Sequence, residues 1–232
     1  MTRPEGVSKQ MVRTFAMPVM LPIMVLAAFL CHGHCGQNNA DTELINSVKS
    51  ANVGKIRQLL SKGADVNARD KSGKTPLYWA CYLGHKDAAG LLLDEKAHAN
   101  VRDRTGSTAL IEASREGRVD LVKLLLDKRE VFKADYRGTL ADVLAAAKGK
   151  RAELVQPLRG KVIEIDAADN RGNTALMWAA TRGHPNVVTL LLSKGADPGI
   201  KNTSGLSALD MAEKKNRLEV IEALTSHKGP KR

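Results

Sequence analysis

Apolar positions along the chain follow two different patterns. From Phe15 to Leu30, "FAMPVMLPIMVLAAFL", they run on with no charge, behind a basic start of Arg3, Lys9 and Arg13. From about residue 37 they come in paired short bursts separated by polar, glycine-bearing turns, and the bursts return every 33 residues. "DKSGKTPLYWACYLGHKDAAGLLLDEKAHANVR" begins at Asp70 and "DRTGSTALIEASREGRVDLVKLLLDKREVFKA" at Asp103. "DNRGNTALMWAATRGHPNVVTLLLSKGADPGIK" begins at Asp169, two periods after Asp103. A last unit starts at Asn202 and an opening one near Gln37. A fixed period of this length is the signature of a solenoid.

Each unit predicts the same elements. Thr75, Thr108 and Thr174 stand where a hydroxyl caps a helix N-terminus, with Pro76 just inside it. Gly84, Gly117 and Gly183 fall where that first short helix must stop. Val187, Val188, Leu190, Leu191 and Leu192 line a second helix on more than one side, as expected of a helix held between neighbours. Gly63 and Gly195 release the chain from it, and Asp70, Asp103 and Asp169 open the turns and brace them. A single unit buries too little to stand alone, so the array is expected to fold by stacking.

Between the third unit and Asp169 the pattern weakens. "DYRGTLADVLAAAKGKRAELVQPLRGKVIEIDAA" keeps Gly138 and Gly149 at the eleven-residue spacing, which places a fourth unit over 135–168. Asp142 replaces the usual buried Leu, and Pro157 falls inside the expected second helix, where it removes a hydrogen bond. Drift in a tolerant solenoid and a bent segment that shapes a partner site both remain open.

The Asp-x-x-Gly turn, the Thr-Pro-Leu or Thr-Ala-Leu start, the Gly-His between helices, the Val/Leu run and the closing Gly-Ala-Asp-x-Asn resemble the ankyrin repeat. The resemblance covers residues 37–226. It implies an all-α solenoid of five to six helix-turn-helix units with short β-hairpin turns. The units fall near 37–69, 70–102, 103–134, 135–168, 169–201 and 202–226, before a basic tail at 227–232. One departure concerns the His that ends the family's helix-start tetrad: Tyr78, Ile111, Met177 and Asp210 take its place. The Thr–His network is therefore expected to be absent, with apolar packing compensating. His85 and His184 hold the Gly-His position that the family uses for packing and backbone hydrogen bonds. Trp79 and Trp178, three periods apart, share a first-helix slot that suits either core filling or a half-exposed anchor.

Partners of proteins similar to this one sit on the hairpin tips and the exposed face of the first helices. Those slots here select Lys71, Lys74 and Tyr82, then Arg104 and Arg115, then Arg171, Trp178 and Arg182, and finally Lys214. The resemblance thus implies a monomeric, non-enzymatic module whose rigid concave face takes another, acidic protein. Reversing the charges of Arg104, Arg115, Arg171 and Arg182 is expected to abolish capture with little change in melting temperature.

Composition changes this picture in three places. Aromatic residues are only 3%, so the core must be built from Leu, Val, Ile and Ala. A net charge of +11 favours acidic partners, with weak attraction to an anionic membrane surface as the alternative. Three cysteines are too few for a disulfide framework. Titratable groups otherwise fall in repeat slots, so no catalytic residue, metal site or cofactor is expected. Nucleic acid is disfavoured for want of a reading element.

The basic start, the short apolar run and the polar residues after it have the layout of a secretory signal peptide over 1–35, cut near 33–35. An uncleaved anchor tethering the module to a membrane is the alternative. Cys31, His32, His34 and Cys35 lie at the expected cut, where a metal clip would be lost on maturation and a lipid-attachment motif is poorly matched. The expected destination is periplasmic or extracellular.

Overall fold

The computed structural model describes residues 39–135 and 163–227, all within one compact unit that begins at Gln37. The expected signal segment with Cys31 and Cys35, residues 136–162 of the expected fourth unit, and residues 228–232 of the tail lie outside the described residues. Ten helices are described, in five pairs. They are α1 (Asn39–Lys49) with α2 (Val53–Ser61), α3 (Pro76–Leu83) with α4 (Lys86–Asp94), and α5 (Ala109–Arg115) with α6 (Val119–Asp135). Two more pairs follow: α7 (Ala175–Arg182) with α8 (Pro185–Ser193), and α9 (Ala208–Lys214) with α10 (Leu218–Ser226). First helices pack on first helices, α1–α3–α5–α7–α9, and second helices on second, α2–α4–α6–α8–α10. This is the expected all-α solenoid. The turns before the first helices hold one isolated antiparallel bridge, Ala168 with Thr174, and no strand among the described residues.

Local chemistry sets the helix starts. The Oγ1 atoms of Thr75, Thr108 and Thr174 accept from the backbone N–H groups of Tyr78, Ile111 and Met177 at 3.2, 3.3 and 3.4 Å. In the last pair, Ser207 Oγ accepts from the Asp210 N–H at 3.3 Å, and Asp210 Oδ2 accepts from the Ser207 N–H at 2.7 Å. That is a reciprocal capping box. Asp210, one of the residues standing in the missing-His slot, therefore supplies a polar brace rather than leaving the start to apolar packing.

The turns are held by their opening residue. Asp70 Oδ1 accepts from the N–H groups of Ser72 at 2.8 Å and Lys74 at 3.0 Å, and Asn202 Oδ1 does the same for Ser204 and Leu206. Between the layers, the histidines tie one unit to the one before. His85 Nε2 donates to the Lys49 carbonyl at 3.3 Å, and His184 Nε2 donates to the Arg115 carbonyl at 3.0 Å. Leu92, Leu125, Leu126 and Leu191 fill the centre of the stack with no more than trace exposure.

The expected fourth unit does not form a layer between α5 and α7. These two helices pack directly, and the His184 bond to Arg115 joins units that are two periods apart in sequence. Asp135, expected to open a fourth turn, is instead the last residue of α6. At residue 129, where Gly63 and Gly195 follow the equivalent helices, the third unit carries Arg and α6 runs 17 residues against their nine; Lys96 holds the same slot in the second unit with φ 65°, and there α4 still ends at Asp94. The unit is then closed from a distance by 163–168. Ile163 and Ile165 are buried in the core, and the Glu164 N–H donates to Asn100 Oδ1 at 3.0 Å. His98 makes the same bond to Asn67 and Asp197 to Asp166. The described stack thus has five units, and the third is interrupted after α6.

Candidate partner-binding face

A cleft of about 600 Å³ opens on the face made by the turns and the first helices, across the second, third and Asp169 units. Lys74, Arg104, Arg115 and Arg171 bring four cationic side chains to its lining, with Tyr78 and Trp178 as the aromatic surface. The turns on either side are bonded edge to edge. The Arg104 N–H donates to the Ser72 carbonyl at 3.1 Å, the Asn170 N–H to the Thr105 carbonyl at 2.9 Å, and the Thr203 N–H to the Arg171 carbonyl at 3.0 Å. Backbone-to-backbone stitching of this kind fixes the spacing of the tips before any partner arrives. A smaller cleft of about 230 Å³, lined by Lys49, Asp70 and Lys71 among others, meets the first at Ser72.

The two carboxylates at the main cleft are occupied by their own turns. Asp103 Oδ1 accepts from the Thr105 N–H and hydroxyl and from the Ser107 N–H, at 2.7–2.9 Å. Asp169 accepts from the Arg171 and Asn173 N–H groups and from the indole Nε1 of Trp178, the last at 2.9 Å. Trp79 repeats that indole bond to Asp70 Oδ2 at 2.9 Å. Burial alone would raise the Asp70 carboxyl, but hydrogen bonds from Lys74, Trp79 and Ser72, with the charge of Lys49, outweigh it and hold the group below its ordinary value. The side chains of Arg104 and Arg171, by contrast, are exposed and have no hydrogen-bond or ion-pair partner among the described residues.

Arg115 behaves differently from the other cations. Its Nη1 lies 2.6 Å from Glu112 Oε1, and its guanidinium stacks 4.0 Å from the Trp178 ring. Glu112 is 1% exposed, and its Oε1 also accepts from the Ser107 hydroxyl at 3.1 Å. The second oxygen, Oε2, is enclosed without a hydrogen-bond partner among the described residues. Burial first, then the negative charges of Glu112 and Asp103, push the Tyr78 phenol well above its ordinary range. Arg115 is therefore the counter-ion of a buried carboxylate. Reversing it would place a second carboxylate beside Glu112, so the expectation that its reversal spares stability is corrected.

Of the residues selected from the sequence, Lys74, Arg104, Arg115, Arg171 and Trp178 line the main cleft and Lys71 the smaller one. Tyr82, 39% exposed, stands edge-on to Trp79 at 5.9 Å, while Arg182 and Lys214 are exposed outside both clefts. Trp79 and Trp178 are half-buried, each pinned by its indole to the turn aspartate. Two contributors were not selected: Glu112 and Lys49. Glu112 sits in the slot of Trp79 and Trp178, and an acid alternating with tryptophans at one repeat position was its signal. Lys49, at the end of α1, lies 4.0 Å above the Trp79 ring.

Stacked helix pairs presenting bonded turns on one face define a repeat scaffold built for protein interaction. The model for ankyrin repeats (3 copies) matches residues 26–136 and 143–231, and the chain belongs to the ankyrin-repeat family. Among curated relatives, oxysterol-binding protein-related protein 1 of Homo sapiens is 35% identical over 82% of this chain and 25% of its own length. The NAD-capped RNA hydrolase NUDT12 of Homo sapiens is 38% identical over 38% of this chain and 19% of its own. Osteoclast-stimulating factor 1 of Danio rerio is 38% identical over 24% and 26% respectively. The chain spans about a quarter or less of the length of these relatives, and the likeness is one of repeats.

Proposed function

We propose that this chain is an exported, monomeric, non-enzymatic module that holds an acidic protein against the face of its turns and first helices. The observation that carries this reading is the main cleft: Arg104 and Arg171 are free, while its carboxylates are already bound within their turns. Such a surface attracts negative charge and is fixed before association, which limits the ordering cost of binding. No helix among the described residues is long and apolar enough to cross a membrane. The proposal of export rests on the basic start and apolar run ahead of residue 36.

Two measurements test the reading. Tagged chain bearing Lys71→Glu, Arg104→Glu and Arg171→Glu is compared with the parent after chemical cross-linking in cells. The reversed chain should lose the proteins that the parent retains, whereas Arg182→Glu, outside the clefts, should lose few. Equal recovery by parent and triple variant would remove this face from consideration. For export, the intact mass of the protein from fractionated cells should show loss of about the first 33–35 residues, and a full-length cytosolic mass would contradict it.

A further inference from the structure

The main cleft gathers cations from three layers: Lys74 from the second, Arg104 from the third and Arg171 from the layer of α7. The bonded tips bring the two arginines together. The Asn170 N–H donates to the Thr105 carbonyl, and backbones joined in this way lie about 5 Å apart. Arg104 precedes Thr105 and Arg171 follows Asn170, and the Asn170 side-chain amide donates to the Arg104 carbonyl at 3.0 Å. Both arginines are exposed, and neither pairs with Asp103 or Asp169, whose oxygens accept from their own turns. Lys74 lies 4.8 Å from the Tyr78 and Trp79 rings. Arg115, the fourth cation of the lining, is balanced by the buried Glu112. Lys74, Arg104 and Arg171 still outnumber Asp103 and Asp169, so the cleft remains net positive.

One arginine fork already fills both oxygens of a carboxylate. Two forks and an ammonium on one cleft suit a group with more acceptor oxygens and more charge. A phosphate monoester offers three free oxygens and carries about 1.5 to 2 negative charges near neutral pH. The volume of about 600 Å³ is that of a pocket for a small group rather than a flat contact. Resting on the proposed function above, we infer that the main cleft binds one phosphate monoester, borne on a phosphorylated side chain of the partner protein. Arg104 and Arg171 donate paired N–H groups to its oxygens, and Lys74 adds a point charge.

Fluorescence anisotropy of labelled peptides with the full chain tests the inference. The peptides share one Gly, Ala and Ser background and carry phosphoserine, a Glu-Glu pair or plain serine at the centre. The phosphoserine peptide should bind at least about tenfold tighter than the Glu-Glu peptide, and inorganic phosphate should displace it. Arg104→Ala and Arg171→Ala should each weaken it about fivefold or more with the melting temperature unchanged. Arg104→Lys and Arg171→Lys keep the charge but lose the fork, and should recover less than half of that loss. Arg182→Ala should change binding by less than about twofold. Equal binding of the phosphoserine and Glu-Glu peptides overturns the inference. So does full recovery in the lysine variants, phosphoserine binding that survives both alanine changes, or a preference for phosphatidic acid vesicles over the peptide. Absence of phosphoserine binding, while cross-linked partners are still lost on charge reversal, overturns the phosphate site and leaves the proposed module standing. Failure of the charge-reversal experiment itself would remove the module.

Discussion

The pair of Glu112 and Arg115 offers the sharpest test of how the cleft is held. Glu112 is 1% exposed, and its charge is balanced by Arg115 at 2.6 Å and by one hydroxyl. Arg115→Ala leaves that carboxylate enclosed with Ser107 alone. Stranding one member of a fully buried pair costs about 3–5 kcal/mol, and the 28% exposure of the Arg115 side chain lowers the expectation to about 2–4 kcal/mol. In a domain of this size about 2–4 °C of melting temperature accompany each kcal/mol, so the fall should be about 5–15 °C. Glu112→Leu, in a slot that three other units fill with Trp79, Trp178 and Met211, should recover at least half of that loss when added to Arg115→Ala. The assay is thermal unfolding by circular dichroism across the double-mutant cycle. A fall below about 2 °C, or strict additivity of the two changes, would refute the view that Arg115 is tied to a buried charge.

Other predictions are simpler. Asp70 is held below its ordinary 3.8, so the stability it contributes is present above that pH and is lost as pH falls through the lowered value. Asp70→Asn keeps the turn acceptor, as Asn202 does, and its stability curve should converge on the parent's at acid pH; parallel curves would contradict this. Cys81 is fully enclosed, and burial with the nearby Glu112 charge pushes its thiol up to about 12. Native protein at pH 8 should therefore leave Cys81 unmodified by a thiol reagent, with labelling only on denaturation, as mass spectrometry would show. Gly106 and Gly205 both have φ near +80° or +75°, but a methyl at 106 would meet the Asn170 nitrogen at 2.7 Å and at 205 would meet nothing within 4 Å. Gly205→Ala should cost about 1–2 kcal/mol from backbone conformation alone, and Gly106→Ala clearly more; equal losses would show that the tips are not packed as described. Thr174→Ala removes a helix cap and should cost about 1 kcal/mol, read as a small fall in melting temperature.

The repeat period, the threonine caps, the aspartate turns and the histidine ties could be read from the sequence, because each depends on a residue type at a fixed place within one unit. The interruption of the third unit could not be read by spacing. Gly138 and Gly149 keep the spacing of a unit but lie outside the described residues, and a missing glycine is no signal by itself, since Lys96 takes the left-handed conformation in the slot where Arg129 lets α6 run on. The same blindness affected the site. Slot-by-slot transfer treated Arg115 as a free surface cation, although Glu112 lies one helical turn before it, at a spacing that brings side chains together. Asp210 was weighed as a lost histidine rather than as the acid of a Ser-x-x-Asp box. Distances across layers, such as Lys49 over Trp79, follow from stacking and have no signature within a single unit.

The central claim, that the turn-and-first-helix face receives a protein partner, is tested most directly by site-resolved photo-cross-linking in cells. A photoreactive residue is placed in the full-length chain at Arg104 or Arg171 on that face, and at the exposed Lys123 or Thr189 on the second helices. A discrete cross-linked protein from Arg104 and Arg171, absent from Lys123 and Thr189, is the predicted result. The same product from Lys123 and Thr189, with none from Arg104 or Arg171, would contradict the account.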